Sequence, residues 1–193
     1  GADRRREPVG APHAVPAPSL AVVRGRVSVD AASARDRADW DAFVGIAPNA
    51  ELYHDYRWRD LISGLFGHDT LYLVARDVSR SVCGVLPLVR LKSRIFGDFL
   101  VSLPYLNYAG ILAGSTEVEH ALAAEGARRA ASLGVAHIEL RHRDRQALDW
   151  PARDDKVTML LDLPQDEAAL WKTFDGKLRS QIRRPEKEGG ITR

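Results

Sequence analysis

Cysteine is almost missing from this chain. Cys83 stands alone among 193 residues, so no disulfide can close within the sequence, and a reducing, cytoplasmic setting is the expectation. Long apolar runs are missing as well. No stretch reaches the roughly 18 residues that a membrane-spanning helix needs. Residues 1–20 carry an arginine cluster followed by proline and alanine rather than an apolar segment. They do not read as a signal peptide and are expected to be a disordered extension. Net charge is small: a balance of +2 does not mark a nucleic-acid binder, and the positive charge is local to the two ends. Familiar catalytic signatures are absent too, with no G-x-S-x-G elbow, no Walker loop and no H-E-x-x-H. His137, Glu139 and His142 sit close together but match no zinc spacing, so no metal site is expected.

What is present reads as one domain with additions. Residues 20–29 alternate as a first strand. A helix is expected over 34–46, with Trp40, Phe43 and Val44 as its buried face and Pro48 as its stop. A second helix starts near Asp55. Trp58, Leu61, Ile62, Leu65 and Phe66 recur at helical spacing along it, and Gly67 ends it. Strands follow at 71–75, 82–91, 99–103 and 105–112. Pro87 inside the second of these predicts an edge or a bulge. A capping box at residues 116–119 opens an alanine-rich helix to Leu133, closed by Gly134. Strands at 135–141 and 156–163 and helices after Asp166 complete the chain.

The expected order is β-α-α-β-β-β-α-β plus C-terminal helices. This is an α/β (α+β) chain with a mixed, mostly antiparallel sheet flanked by helices. It is the order of the Gcn5-related acetyltransferase (GNAT) fold, an analogy of fold alone. The expected organisation is the extension at 1–20, a first GNAT-like domain over 21–164, and over 165–193 a basic helical bridge with the start of a truncated second domain.

The usual acetyl-CoA pyrophosphate loop would fall at residues 112–116, where Gly114 stands without a second glycine or an upstream basic residue. Tyr53 and His54 with Trp58 offer one candidate cleft wall, and His54 could serve as acid or base. The run 102–110 brings Tyr105, Asn107 and Tyr108 together amid small residues, as pocket loops do. Arg141 and His142 end one strand, and Lys156 begins another. On the last helix, Leu178 and Ile182 share a face, with Arg179, Arg183 and Lys187 as a cationic stripe beside them.

Several runs together, HDYRWRDLISGLFGH, GVLPLVRLKSRIFGDFLVSLPYLNYAGI, HIELRHR, DKVTMLLDLP and KLRSQIRRPEKEGG, resemble the Fem-type (FemAB-like) aminoacyltransferase relatives. The resemblance is nearest to the branch associated with exosortase/PEP-CTERM surface-sorting systems in Gram-negative bacteria. The pattern Lys-x-Arg-x-x-Ile-Arg-x-x-x-Lys-x-Gly at Lys177, Arg179, Ile182, Arg183, Lys187 and Gly189 carries it in the wider family. The resemblance implies the N-terminal half of a tandem GNAT-like enzyme, with a further C-terminal domain to follow. It implies transfer of an acyl or aminoacyl group onto a cell-envelope or polysaccharide-related acceptor, such as a nucleotide-sugar peptide or glycan. It implies no bound cofactor, and aminoacyl-tRNA or acyl-CoA as co-substrate. Substrate contacts would then come from His54, Trp58, Tyr105, Asn107, Tyr108, Arg141, Lys156, Lys177 and Arg179, with the catalytic residue unassigned. Two other readings stand beside it: a GNAT acyltransferase using acetyl-CoA or another acyl-CoA, and a non-enzymatic module whose basic C-terminal helix binds RNA, acidic lipid or a partner.

Overall fold

The computed structural model describes residues 27–95, 97–153 and 159–190. The chain divides into two compact units between Asp149 and Trp150. Lys156 and most of the first expected strand lie outside the described residues.

The first unit is built on a sheet of six strands: β1 (Ser28–Ala31), β2 (Asp69–Arg76), β3 (Val82–Ser93), β4 (Gly97–Ser102), β5 (Leu112–Ala113) and β6 (Ile138–Glu139). The order is β1-β2-β3-β4-β6, with β5 paired to β3. All pairings are antiparallel except β4 with β6. Helices α1 (Arg37–Ile46), α2 (Arg57–Phe66) and α3 (Thr116–Leu133) complete the unit. The mixed, mostly antiparallel sheet flanked by helices, in the order expected from the sequence, is what the chain adopts.

Strand alternation assigns the two faces. Val85 and Val89 of β3 join Tyr72 and Val74 of β2 in a core with Trp40, Phe43, Tyr56 and Ile62 from the α1–α2 side. Trp40 stacks on Tyr72 at 5.1 Å, and Tyr56 meets both rings edge-on at 5.5 and 5.7 Å. Each such pair adds about 0.5–1.5 kcal/mol beyond area burial. The opposite register, Gly84, Leu86 and Leu88, receives α3. A side chain at Gly84 would strike Val118 and Leu122, and one at Gly126 would crowd Ile138. The two glycines therefore set how closely α3 lies on the sheet.

Several expectations shift. Pro87 is neither on an edge strand nor at a bulge. It sits in central β3, opposite Tyr72, at the point where the strand on the other side is interrupted. β4 pairs with Leu88–Ser93 and β5 with Gly84 and Val85, so a donor missing at Pro87 breaks no ladder bond on that side. The expected strand over 105–112 shrinks to β5, because residues 103–111 leave the sheet as a loop. The strand over 135–141 shrinks to β6, half-exposed rather than buried. The α3 cap is Ser115, one residue before the expected position, with its Oγ accepting from Val118 N–H at 3.3 Å. The face of α2 is less buried than its periodicity suggests: Ile62 is in the core, but Leu61, Leu65 and Phe66 are exposed.

In the second unit, α4 (Glu167–Thr173) and α5 (Gly176–Lys187) form. Asp166 caps α4 through Ala169 N–H at 2.7 Å, and Asp175 accepts from Leu178 N–H at 2.7 Å at the start of α5. Residues 159–163 form no strand, contrary to expectation; no ladder partner is present for them among the described residues.

Candidate functional site

The interruption between β4 and β5 creates the site. Three residues of the loop over 103–111, Leu103 (φ 49°), Tyr105 (φ 70°) and Tyr108 (φ 56°), hold left-handed backbone without being glycine. Each costs roughly 1–2 kcal/mol, so the surroundings must impose them. Arg141 does part of this: its N–H donates to Ser102 Oγ at 2.7 Å and its guanidinium to the Leu106 carbonyl at 3.2 Å.

Two histidines do the rest. His54 Nε2–H donates to the Gly110 carbonyl at 3.1 Å, and Ile111 N–H donates to His142 Nε2 at 2.8 Å. One peptide group, Gly110–Ile111, is thus satisfied on both sides by imidazoles instead of a neighbouring strand. Glu51 N–H donates to His54 Nδ1 at 3.0 Å, and Trp40 Nε1–H donates to the His54 carbonyl at 2.7 Å. These bonds fix both tautomers. His54 carries its proton on Nε2 and has no free nitrogen. His142 carries its proton on Nδ1, which has no partner among the described residues. Burial holds the His54 pKa below the usual value, against the opposing pull of its bond to Gly110 and of Glu51. Burial, with His54 nearby, pushes His142 down to about 4. Both rings are neutral at pH 7. The glycine is obligatory: a Cβ at Gly110 would overlap the His142 ring.

Beside this peptide lies a cleft of about 400 Å³, reached by His54, Tyr108, Leu112, Glu119, His142 and Arg145 among others. Its lining includes β5, which among the described residues pairs only with β3 and has no strand on its other edge. Its end is the start of α3, at Ser115 and Thr116. Glu119, one turn into α3, is only 8% exposed, and its Oε1 is buried without a hydrogen-bond partner among the described residues. Burial raises its pKa, with His120 opposing weakly. Arg143 is tied to Glu51 at 2.7 Å across the mouth.

Of the residues named from sequence, His54 and Tyr108 line this cleft. His54 is not available as an acid or base, because both its nitrogens are bound to backbone. Trp58 is half-buried with its indole N–H on the Leu52 carbonyl at 3.0 Å, Asn107 is exposed, and Arg141 braces the loop from behind. Tyr105 is 61% exposed, with its hydroxyl 2.8 Å from His68 Nε2 and its ring beside Phe66. Lys177 and Arg179 belong to the second unit, where Arg179 lines a separate groove. Sequence reasoning missed Glu119, reading it only as part of a capping box. The available signal was Val118, Leu122 and Ala123, apolar residues at helical spacing whose face Glu119 shares. No group of residues suited to holding a metal ion occurs among the described residues.

No family model matches the sequence, and no curated protein does. Among solved structures, the chain is similar to a GNAT family acetyltransferase from Staphylococcus aureus, with 12% identity over 70% of this chain and 98% of that one and a TM-score of 0.46. It is similar to an acetyl transferase from Pyrococcus furiosus, with 12% identity, coverage of 72% and 99%, and a TM-score of 0.46. It is also similar to an aminoglycoside 6'-N-acetyltransferase from Acinetobacter baumannii, with 16% identity, coverage of 72% and 100%, and a TM-score of 0.43.

Proposed function

We propose that the first unit carries an acyltransferase cleft that forms an amide by moving an acyl group from an activated ester or thioester onto an amine. One observation carries this reading: the cleft joins a free strand edge at β5 to a buried, unpartnered carboxyl at Glu119. A free edge offers backbone N–H and C=O groups to an extended, amide-bearing donor arm. Such an arm would be held in line with the carboxyl. In the reaction the amine nitrogen bonds to the acyl carbon, and the bond from that carbon to sulfur or oxygen breaks. The amine proton passes to the Glu119 carboxylate. A pKa raised by burial brings that base toward the working pH. The unpartnered Nδ1–H of His142 is the donor for the developing oxyanion. No covalent nucleophile is required, since positioning supplies much of the rate.

The sequence resemblance makes an aminoacyl ester the first donor to test, with a nucleotide-sugar peptide or another glycan-type molecule as acceptor. Acyl-CoA is the second. Arg145 favours it: this residue lines the cleft that ends at the α3 N-terminus and has no ionic partner among the described residues. A phosphorylated donor suits that end. The test is transfer of labelled acyl groups from acetyl-CoA or aminoacyl-tRNA to an amine panel, using the full chain. Glu119→Gln should lower turnover by about 100-fold or more while keeping the melting temperature. Equal turnover in wild type and Glu119→Gln would overturn the assignment.

A further inference from the structure

The second unit has features that the acyl-transfer cleft does not use. α5 is 12 residues long and is set up as an interfacial helix. At about 100° per residue, Leu178, Ile182 and Pro185 fall on one face. Lys177 and Arg184 flank that face on one side, and Arg179 and Arg183 on the other. Leu178 and Ile182 are 39% and 42% exposed. The same unit exposes Met159, Leu160, Leu161 and Leu163, each by more than half. Alongside α5 lies a groove of about 300 Å³ lined by Trp171, Gly176, Arg179, Ser180, Arg183 and Lys187. None of these three cations has an ionic partner among the described residues; Arg183 instead lies over the Trp171 ring at 4.9 Å.

We propose that α5 and its groove bind the surface of an anionic phospholipid bilayer. The helix lies in the headgroup layer, with Leu178 and Ile182 directed toward the acyl chains. Arg179, Arg183 and Lys187 take the lipid phosphates, with the Ser180 hydroxyl beside them. Charge complementarity and the exposed aliphatics decide the occupant together. Cations alone would serve any polyanion, but sites for single-stranded nucleic acids add open aromatic faces on which bases stack. Here Arg183 lies over the Trp171 ring, and the large exposed apolar side chains among the described residues of the unit are leucine, isoleucine and methionine. A cationic helix with an aliphatic face is the form that partitions into a headgroup layer. No helix among the described residues is long and apolar enough to cross a membrane, so the contact is one of surface only. The inference is independent of the cleft in the first unit.

The test is co-flotation of the full chain with vesicles of phosphatidylcholine containing 25% phosphatidylglycerol, against phosphatidylcholine alone, at low and high salt. Binding is expected on the anionic vesicles only, weakened by salt. The triple variant Arg179→Gln/Arg183→Gln/Lys187→Gln should lose about fivefold in partitioning per cation, on the order of a hundredfold in total. Leu178→Ser/Ile182→Ser should remove the binding that survives high salt. Circular dichroism confirms that the variants keep their helices, as surface substitutions should. Failure to float with anionic vesicles overturns the proposal. So does full binding by the Leu178→Ser/Ile182→Ser variant together with complete displacement by a single-stranded RNA, which would make the groove a general polyanion site.

Discussion

Acid should unlock the loop that shapes the cleft, and His142 is where the effect is largest. Its Nε2 accepts the Ile111 N–H at 2.8 Å, so protonation would set one N–H against another in a buried place. The folded pKa is about 4, against 6.5 in the unfolded chain. Between those values the unfolded state binds more protons, so stability rises with pH. The contribution is fully present above 6.5 and is lost as the pH falls toward 4. In full the shift amounts to ~3 kcal/mol, and to ~2 kcal/mol of it between pH 7 and pH 5. Burial lowers the His54 pKa as well, so its contribution has the same sign. The carboxylates held low by arginine partners, such as Asp98 beside Arg90, stay ionised over this range and add little. The assay is urea unfolding at pH 7 and pH 5 for wild type and His142→Gln. The variant should be less stable at pH 7 yet lose ~2 kcal/mol less on acidification. An equal loss in both proteins would refute the neutral, backbone-bound histidine and the loop anchoring built on it.

Other outcomes follow from the same geometry. The Glu119 pKa is raised by burial, so the folded state holds its proton longer and stability falls as pH rises through that window. Glu119→Gln should abolish this fall, seen as a melting temperature at pH 8 equal to or above that of wild type. Gly110→Ala pushes a Cβ into the His142 ring and should cost about 1–3 kcal/mol in chemical denaturation. Trp40→Phe leaves the buried His54 carbonyl without its indole donor and should cost about 1–3 kcal/mol, read by the same method. Gly84→Val should lift α3 off the sheet through Val118 and Leu122, lowering cooperativity as well as stability.

Much of the frame was legible in the sequence because it rests on local rules. Helical periodicity around Trp40 and Phe43 marked α1, and left-handed glycines at Gly67 and Gly134 ended α2 and α3 where only glycine sits without strain. Asp166 announced α4 as a cap. The strand expected over 82–91 formed as β3 (Val82–Ser93). The same rules failed where a long-range partner decides. Leu61, Leu65 and Phe66 repeat as a buried face would, but α2 meets the sheet mainly through Ile62. Tyr105, Asn107 and Tyr108 sit within four positions of each other, yet strained backbone sends Tyr105 to Phe66 and His68 while Tyr108 lines the cleft.

The sequence by itself determined the order of elements in the first unit, the helix ends to within a residue or two and the cationic stripe of α5, since these depend on spacings of a few residues. Only the tertiary structure decided the site. The Gly110–Ile111 peptide lost its strand neighbour, and a buried amide and carbonyl must find partners. They found them in His54 and His142, some 56 and 31 positions away in sequence. That pairing converted one candidate acid or base into a fixed structural ring, while the fold buried Glu119 of α3 beside it, a residue that no local spacing had singled out.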